Sequence, residues 1–525
     1  MNSPAWLETP LPFFPRLDRN LEVDLIVAGG GITGITAAYL AKKAGLTVAL
    51  LERDRCVCGE TARTTAHLTA ATDIRLVNIK ETFGLEAAKA TWDAGIAAID
   101  RIVANIRAEE IKCDFQWKPG YLIEPMIGDT AGALDEIRRE TELAQALQVE
   151  CELENAVPLF RCFGLRFNHQ ASFHPRKYLA ALLKAIPGEG SHVFEHSPVE
   201  SGTDDPPTVR SGQFQVQGRL LLVATHEPIT GIAPVLKTLL TQTKLAPYTT
   251  YVLGAKLPPG SQKPALFWDT VDPYHYLRID SYPEFDYAIL GGADHKTGQE
   301  QDTELPYAKL AQVLRHWLPQ AEIDYRWSGQ VIEPVDGLPF IGENVTGQFI
   351  GTGFAGNGMT FGTLTAMMCI DRLLGRTNPW AELFEANRAK VRGGTWTYLT
   401  ENLDYPYHLI RDRISKAEGH STDQVPPGEG RILGLDGKKV AAYRDPNGEL
   451  TLLSPVCTHL KCIVNWNDAE KTWDCPCHGA RFKPTGEVIS GPAEEKLKSM
   501  KEEGGPARSG TGDWREQGSA RSGRG

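Results

Sequence analysis

Asp24-Leu-Ile-Val-Ala-Gly-Gly-Gly-Ile-Thr-Gly34 is the stretch that decides the fold. An apolar run, Asp24 to Ala28, stops at three glycines. A helix-like stretch follows from Ile35 to Ala44, then Gly45, then a second apolar run, Thr47 to Leu51. This order predicts a βαβ unit. Gly29 to Gly34 fits G-x-G-x-x-G. In that pattern Gly29 makes the tight turn, Gly31 lets the backbone approach a pyrophosphate, and Gly34 permits close helix–strand packing. The helix N-terminus then offers free N–H groups to phosphate. Glu52 closes the second run 18 residues past Gly34, where a ribose hydroxyl needs an acceptor. Arg53 beside it is a candidate reader of a 2′-phosphate. A glycine triplet by itself is often only a loop; the flanking strands, helix and acid favour the dinucleotide reading.

Working outward, 525 residues correspond to about three folding units at roughly 100–200 residues each. Hydrophobic residues are 42% and charged residues 23%, which suits a large packed core and excludes wholesale disorder. The net charge of −11 would repel a phosphate backbone, so a nucleic-acid partner is not expected. No run approaches the roughly 20 apolar residues of a membrane span. The proline-rich N-terminus lacks the basic and apolar regions of a secretory signal. A cytoplasmic protein is expected.

Three zones follow one another. Helix and strand patterns alternate to about residue 375, with a hairpin or loop expected over 195–212. Residues 376–419 read as a helical linker. Residues 420–492 carry short β-rich runs (Arg431 to Leu435, Lys439 to Arg444, Leu450 to Ser454) separated by Asp-Gly and Asn-Gly turns, which predicts a small all-β unit. Residues 493–525, rich in Gly, Ser, Arg, Lys and Glu, are expected to be a disordered tail. Of ten cysteines, four lie within 21 residues: Cys457, Cys462, Cys475 and Cys477. In a reducing compartment such clustering points to metal or redox chemistry.

The first zone resembles the FAD-dependent, D-amino-acid-oxidase-like superfamily over about residues 20–375. The resemblance rests on Val27 to Gly34 with Leu51-Glu52, on Gly59 to Thr69, on Leu220 to Thr225, and on Gly351 to Gly362. It implies a Rossmann-like, glutathione-reductase-type α/β domain with an interleaved α+β substrate domain. The FAD-binding parts would be about 20–75, 176–235 and 330–375, and the substrate-domain parts 76–175 and 236–329. It further implies FAD contacts from Arg63, Thr65, Val199, Ala224, Thr225, Gly353, Gly356, Asn357, Gly358 and Met359. Thr64-Thr65-Ala66-His67 resembles the step at which some relatives bond a histidine covalently to the flavin; a histidine merely hydrogen-bonded beside the ring is the other reading. For the substrate, the family uses a strand bearing Tyr and Arg over the flavin. Tyr274-His-Tyr-Leu-Arg-Ile279 is the first candidate and Leu290-Gly-Gly-Ala-Asp-His295 the second. Alternation puts Tyr274, Tyr276 and Arg278 on one strand face. Arg278 is thus expected to clamp a substrate carboxylate, the alternative being an ordinary amphipathic strand.

Cys457-Thr-His459 and Cys475-Pro-Cys477-His478 place two cysteine–histidine ligand pairs 15 residues apart, with Cys462 and Cys477 interleaved. Tetrahedral zinc would also accept such residues. The pattern resembles the Rieske [2Fe–2S] family in its cytochrome bc form, with Ser490-Gly-Pro492 similar to its proline loop. That resemblance implies Cys457 and Cys475 on one iron, His459 and His478 on the other, and a Cys462–Cys477 disulfide. Mixed ligation of this kind raises the reduction potential above that of an all-thiolate cluster. The sequence departs from the family at Lys461, where a glycine is usual, and at Ala480 and Phe482, where high-potential members carry hydroxyls. Lost donors to sulfur predict a lower potential than in the respiratory proteins.

A flavin takes two electrons and a cluster carries one. The leading expectation is an FAD-dependent dehydrogenase or oxidase acting on a small amine or amino-acid-like substrate, with Tyr276, Arg278 and His67 at the reaction centre. Single electrons would pass between flavin and cluster, and a separate ferredoxin-, cytochrome- or quinone-like donor or acceptor would complete the circuit. The alternatives are a reductase or monooxygenase-like flavoprotein fed through the cluster, and a redox carrier or sensor without a substrate.

Overall fold

Leu25, Ile26 and Val27 are wholly buried, as a central parallel strand covered on both faces requires. Their strand, Leu21–Ala28, lies between Phe214–Val223 and Val48–Leu51. Gln348–Thr352 and His192–Phe194 extend the same sheet, so five strands run parallel. Phe340–Val345 adds an antiparallel edge, and the hairpin expected over 195–212 is present as Ser201–Asp204 and Pro207–Ser211. The computed structural model describes residues 3–227, 241–388 and 418–500.

The helix after the glycines spans Ile32–Lys43, one turn earlier than the apolar pattern suggests. Gly34 explains the tight start, because a Cβ there would strike the Gly29 carbonyl and come within 2.9 Å of Val27. Gly29 itself has φ +113°, open to glycine and costly for other residues. The helix packs on Gly358–Leu373, the helix that follows Gln348–Thr352.

A second, mixed sheet is interleaved with the first. Its strands run in the order Glu322–Pro334, Leu245–Leu257, Asp286–Lys296, Tyr276–Ser281, Ala265–Asp269, Gln116–Ile123, Gly164–Ser172 and His67–Leu68, with Cys151–Glu154 also paired to Gly164–Ser172. The two-residue strand at His67 therefore carries the chain from the first sheet into the second. This is the α/β fold with an interleaved α+β part expected above.

The C-terminal unit holds a three-stranded sheet (Glu429–Leu435, Lys438–Arg444, Leu450–Leu453) and a four-stranded one (Asn465–Asn467, Thr472–Asp474, Arg481–Phe482, Val488–Ser490). Trp473, Phe482 and Leu453 lie in its core. The chain departs from the sequence pattern at two places, the start of the expected tail and the start of the expected helical linker. Ala493 to Met500 are not tail: Leu497 is buried and its N–H donates to the Gly486 carbonyl at 2.9 Å. The Met500 N–H donates to Leu452 at 2.8 Å, and the Ser454 N–H to Lys498 at 2.7 Å. Backbone pairing onto an edge strand is nearly indifferent to side chains, so Lys- and Glu-rich sequence can supply it. Likewise Arg376 to Arg388 form turns rather than helix, anchored by Phe384 and by Arg388 on Asp336. The expected linker over 389–417, the tail over 501–525 and residues 228–240 lie outside the described residues. Among those described, no helix is long and apolar enough to cross a membrane.

Candidate active site and cluster-binding loops

A cavity of about 1370 Å³ runs from the glycine turn to the second sheet. Gly29, Gly31, Glu52, Arg53, Arg63, Thr65, Val199, Ala224, Thr225, Gly353, Gly356, Asn357, Gly358 and Met359 all line it; Gly34 sits behind and acts through packing. Glu52 ends its strand in the wall. Its Oε2 accepts the Gly30 N–H at 2.7 Å and its Oε1 the Asp54 N–H at 2.9 Å. Burial pushes this carboxyl above its usual range against those two donors. Arg53 lines the cavity and reaches the C-terminal unit, its Nη2 donating to the Ile489 carbonyl at 2.8 Å.

Midway along the cavity, Gly358–Leu373 points its N-terminus into the space. Asn357 donates Nδ2 to the Ala71 carbonyl at 2.9 Å, and its Oδ1 is buried with no hydrogen-bond partner. The same is true of His67 Nε2, while His67 Nδ1 meets Thr65 Oγ1 at 3.0 Å. Burial, then the nearby Arg278 charge, depresses His67 to about 3, so the ring is neutral. Buried polar groups need partners. Two orphaned ones beside a helix N-terminus, in a long cleft opening at a phosphate-type turn, fit a flavin dinucleotide.

The far end of the cavity is walled by Tyr274, Tyr276, Asp73, Asp294 and Thr250. The Tyr274 hydroxyl donates to Asp73 Oδ1 at 3.0 Å, and the Tyr276 hydroxyl lies 2.8 Å from Thr250 Oγ1. A Cβ at Gly291 would overlap the Tyr276 ring, which makes that glycine the floor beneath the tyrosine. Desolvation raises Asp73 and Asp294 to about 7 each. Neither acid was singled out from sequence, although Asp294 lies in the second candidate strand.

Arg278 is not the substrate clamp expected of it. It shares the strand face with Tyr276 but is 1% exposed and does not line the cavity. Its Nε donates to Asp280 Oδ2 at 2.8 Å, Nη2 reaches the same oxygen at 2.7 Å, and Nη1 donates to the Thr65 and Ala66 carbonyls at 2.7 and 3.1 Å. Lys118 pairs with the other oxygen of Asp280. Burial works against the charge on Asp280, yet Arg278 and Lys118 together hold its carboxyl well below the usual range. Four of its five N–H donors are spent on these partners and the side chain does not face the cavity, so the guanidinium braces the loop before His67 instead of clamping a substrate.

In the C-terminal unit two loops repeat one geometry. The Cys457 N–H donates to the Cys462 carbonyl and the Cys475 N–H to the Ala480 carbonyl, both at 2.8 Å. The Lys461 N–H returns to Cys457 at 3.2 Å and the Gly479 N–H to Cys475 at 3.0 Å. Lys461 has φ +66° and Gly479 φ +67°, so Lys461 occupies the left-handed site where glycine is the relaxed choice. Cys462 and Cys477 are joined by a disulfide of 2.04 Å. The sulfurs of Cys462, Cys475 and Cys477 lie within 4.8 Å of one another, but the disulfide withdraws two of them as ligands. That leaves buried Cys457 and Cys475 and the His459 and His478 rings, whose centroids are 5.1 Å apart. Burial depresses both imidazoles, to about 3 and about 4, which keeps them neutral as ligands must be. Two thiols and two imidazoles suit a mixed-ligand diiron cluster.

Known families agree. Residues 24–372 match the family of FAD dependent oxidoreductases, and residues 418–501 match the Rieske [2Fe-2S] domain. The chain is an FAD-dependent oxidoreductase with a C-terminal Rieske domain. Its cofactors are FAD and a [2Fe–2S] cluster. It is 33% identical over 501 residues (94% of this chain, 96% of the relative) to YhfW of Bacillus subtilis, named as a Rieske 2Fe-2S iron–sulfur protein. It is 25% identical over 412 residues (76% and 95%) to gamma-glutamylputrescine oxidoreductase of Escherichia coli. Glycine oxidase from Geobacillus kaustophilus superposes with a TM-score of 0.60 at 15% identity, over 71% of this chain and all of that one.

The Rieske domain is seated on the flavin domain by its cluster loops. Gln330, in the cavity wall, donates Nε2 to the Gly479 carbonyl at 2.8 Å, one residue past His478. His459 Nε2 lies 3.2 Å from Gln242 Oε1, and Gln299 Nε2 donates to the Pro476 carbonyl at 3.2 Å. Glu470 takes the Tyr307 hydroxyl at 2.9 Å and Arg63 Nη1 at 3.2 Å. A Cβ at Gly298 would come within 2.8 Å of the Cys475 backbone, so the two surfaces meet without a side chain between them. Ile489 to Glu495 complete the cavity wall beside Arg53. Neither Gln330 nor Gly298 belongs to a recognisable motif, and sequence reasoning missed both.

Proposed function

We propose that this chain oxidises a small amine or amino-acid-like substrate and passes electrons one at a time between its flavin and its Rieske cluster, with a separate one-electron donor or acceptor outside. The observation that carries this reading is Gln330, which lines the flavin cavity and is hydrogen-bonded to the residue after the ligand His478. Bound FAD supplies a two-electron acceptor and the cluster a one-electron carrier. The chain's own residues do the rest. The glycine turn and the Gly358–Leu373 N-terminus hold the dinucleotide, and Tyr274 and Tyr276 wall the substrate end. Gln330, Gln242 and Gln299 fix the cluster loops against the flavin domain.

Gly298→Leu tests the reading, because the added side chain must displace Cys475. Anaerobic photoreduction of the holoprotein should bleach the flavin as in wild type, and bleaching of the cluster band should lag behind. If the cluster bleaches as fast in the variant, or never follows the flavin in wild type, the reading fails.

A further inference from the structure

Resting on the amine-oxidation reading, we propose that the substrate end of the cavity takes a cationic amine without an adjacent carboxylate, its ammonium held by Asp73 and Asp294. Both acids line the cavity. Asp73 already accepts one hydrogen bond, from Tyr274, and its Oδ2 faces Gly356, whose Cβ would come within 2.6 Å of it. Asp294 Oδ1 is buried and has no hydrogen-bond partner. A buried carboxylate oxygen left without a donor is costly, and an ammonium satisfies it with a short, charge-assisted bond. The Tyr274 and Tyr276 rings, 5.6 Å apart, add aromatic faces that favour a cation.

Of the three permanent positive charges nearby, two are committed elsewhere. Arg278 is sealed against Asp280 and two carbonyls. Lys118 is buried on Asp280. Arg75, in the cavity wall, gives Nε to Glu136 at 3.1 Å and Nη2 to the Asp269 carbonyl at 3.1 Å, and its remaining charge reaches Asp73, where one cation is shared by two acids, Glu136 and Asp73. An α-carboxylate placed beside the substrate nitrogen would therefore meet Asp73 and Asp294 with like charge in a desolvated pocket. An ammonium would meet them with opposite charge. Desolvation lifts both acids to about 7, and a bound ammonium would offset that cost.

Pentylamine and norleucine differ only by the carboxylate and make a matched pair. Calorimetric titration of the anaerobic holoprotein should show pentylamine binding at least about tenfold tighter than norleucine, a difference of 1.4 kcal/mol or more. Asp294→Asn, with Asp73→Asn as the second variant, should weaken pentylamine by a similar factor while FAD content and the visible flavin band stay as in wild type. Equal or tighter binding of norleucine, no binding of pentylamine, or unaltered pentylamine affinity in both variants would overturn the proposal. The two readings fail separately. If norleucine alone binds and bleaches the flavin, the oxidoreductase reading stands and the cation site falls. If pentylamine binds as expected and no amine bleaches the flavin, the site stands and amine oxidation falls.

Discussion

Replacing Arg278 with methionine (Arg278→Met) keeps most of the side-chain volume and removes the charge and all its donors. Asp280 would then keep Lys118 and Ser172 as partners, and the Thr65 and Ala66 carbonyls would lose theirs. Breaking a buried charge network by deleting one member costs about 3–5 kcal/mol, chiefly because the remaining charge is left under-compensated. At about 2.1 cal/mol/K of unfolding entropy per residue, a domain spanning residues 24–372 loses about 1.4 °C of Tm per kcal/mol. The expected drop is about 4–7 °C, read by the release of flavin fluorescence on heating. A triple variant, Lys118→Met, Arg278→Met and Asp280→Leu, removes every charge of the network and should recover most of that loss, as replacement of whole buried ion networks often does. Had Arg278 been a substrate clamp, the single variant would keep its Tm and lose affinity for carboxylate ligands. A wild-type Tm in Arg278→Met refutes the brace.

Three further outcomes are expected. Pentylamine affinity should rise as pH increases through about 7, because Asp73 and Asp294 gain charge there while an aliphatic ammonium, near 10.4, keeps its own. His275 and Asp272 also face Asp294, and His67, held near 3, contributes no charge; titrations at several pH values in which affinity falls over that range would contradict the assignment. Ala480→Ser combined with Phe482→Tyr places hydroxyls where both side chains are now buried and should raise the cluster's reduction potential in a redox titration; an unchanged potential means those hydroxyls do not reach sulfur. Acid precipitation should leave the flavin in solution if His67 only flanks it, and a yellow pellet would show a covalent bond.

What could be read from the sequence was whatever local geometry demands of particular residues. Gly29 and Gly34 are legible because a turn and a close packing contact tolerate nothing else. The cluster ligands are legible because two short loops must present thiol and imidazole at fixed spacing. Asp73 and Asp294 were hidden for the opposite reason: one follows the His67–Leu68 strand and the other lies in Asp286–Lys296, so they come together only in the folded second sheet. The misreading of Arg278 was avoidable, since Arg278-Ile-Asp280 puts an acid on the same strand face two residues on. Gln330, Gln242 and Gly298 leave no local trace, because a docking surface is a property of two folded units. The return of Leu497 to Met500 was masked by charged composition, with one buried leucine and backbone bonds doing the pairing.

In the function proposed for this chain, electrons placed on the flavin reach the Rieske centre of the same polypeptide. The direct measurement is anaerobic photoreduction of the full-length holoprotein followed by electron paramagnetic resonance, with iron and zinc assayed on the same sample. Two irons per chain are expected, with the signal of a reduced Rieske cluster growing as the flavin bleaches. A bleached flavin beside a silent spectrum, or zinc in place of iron, would contradict it.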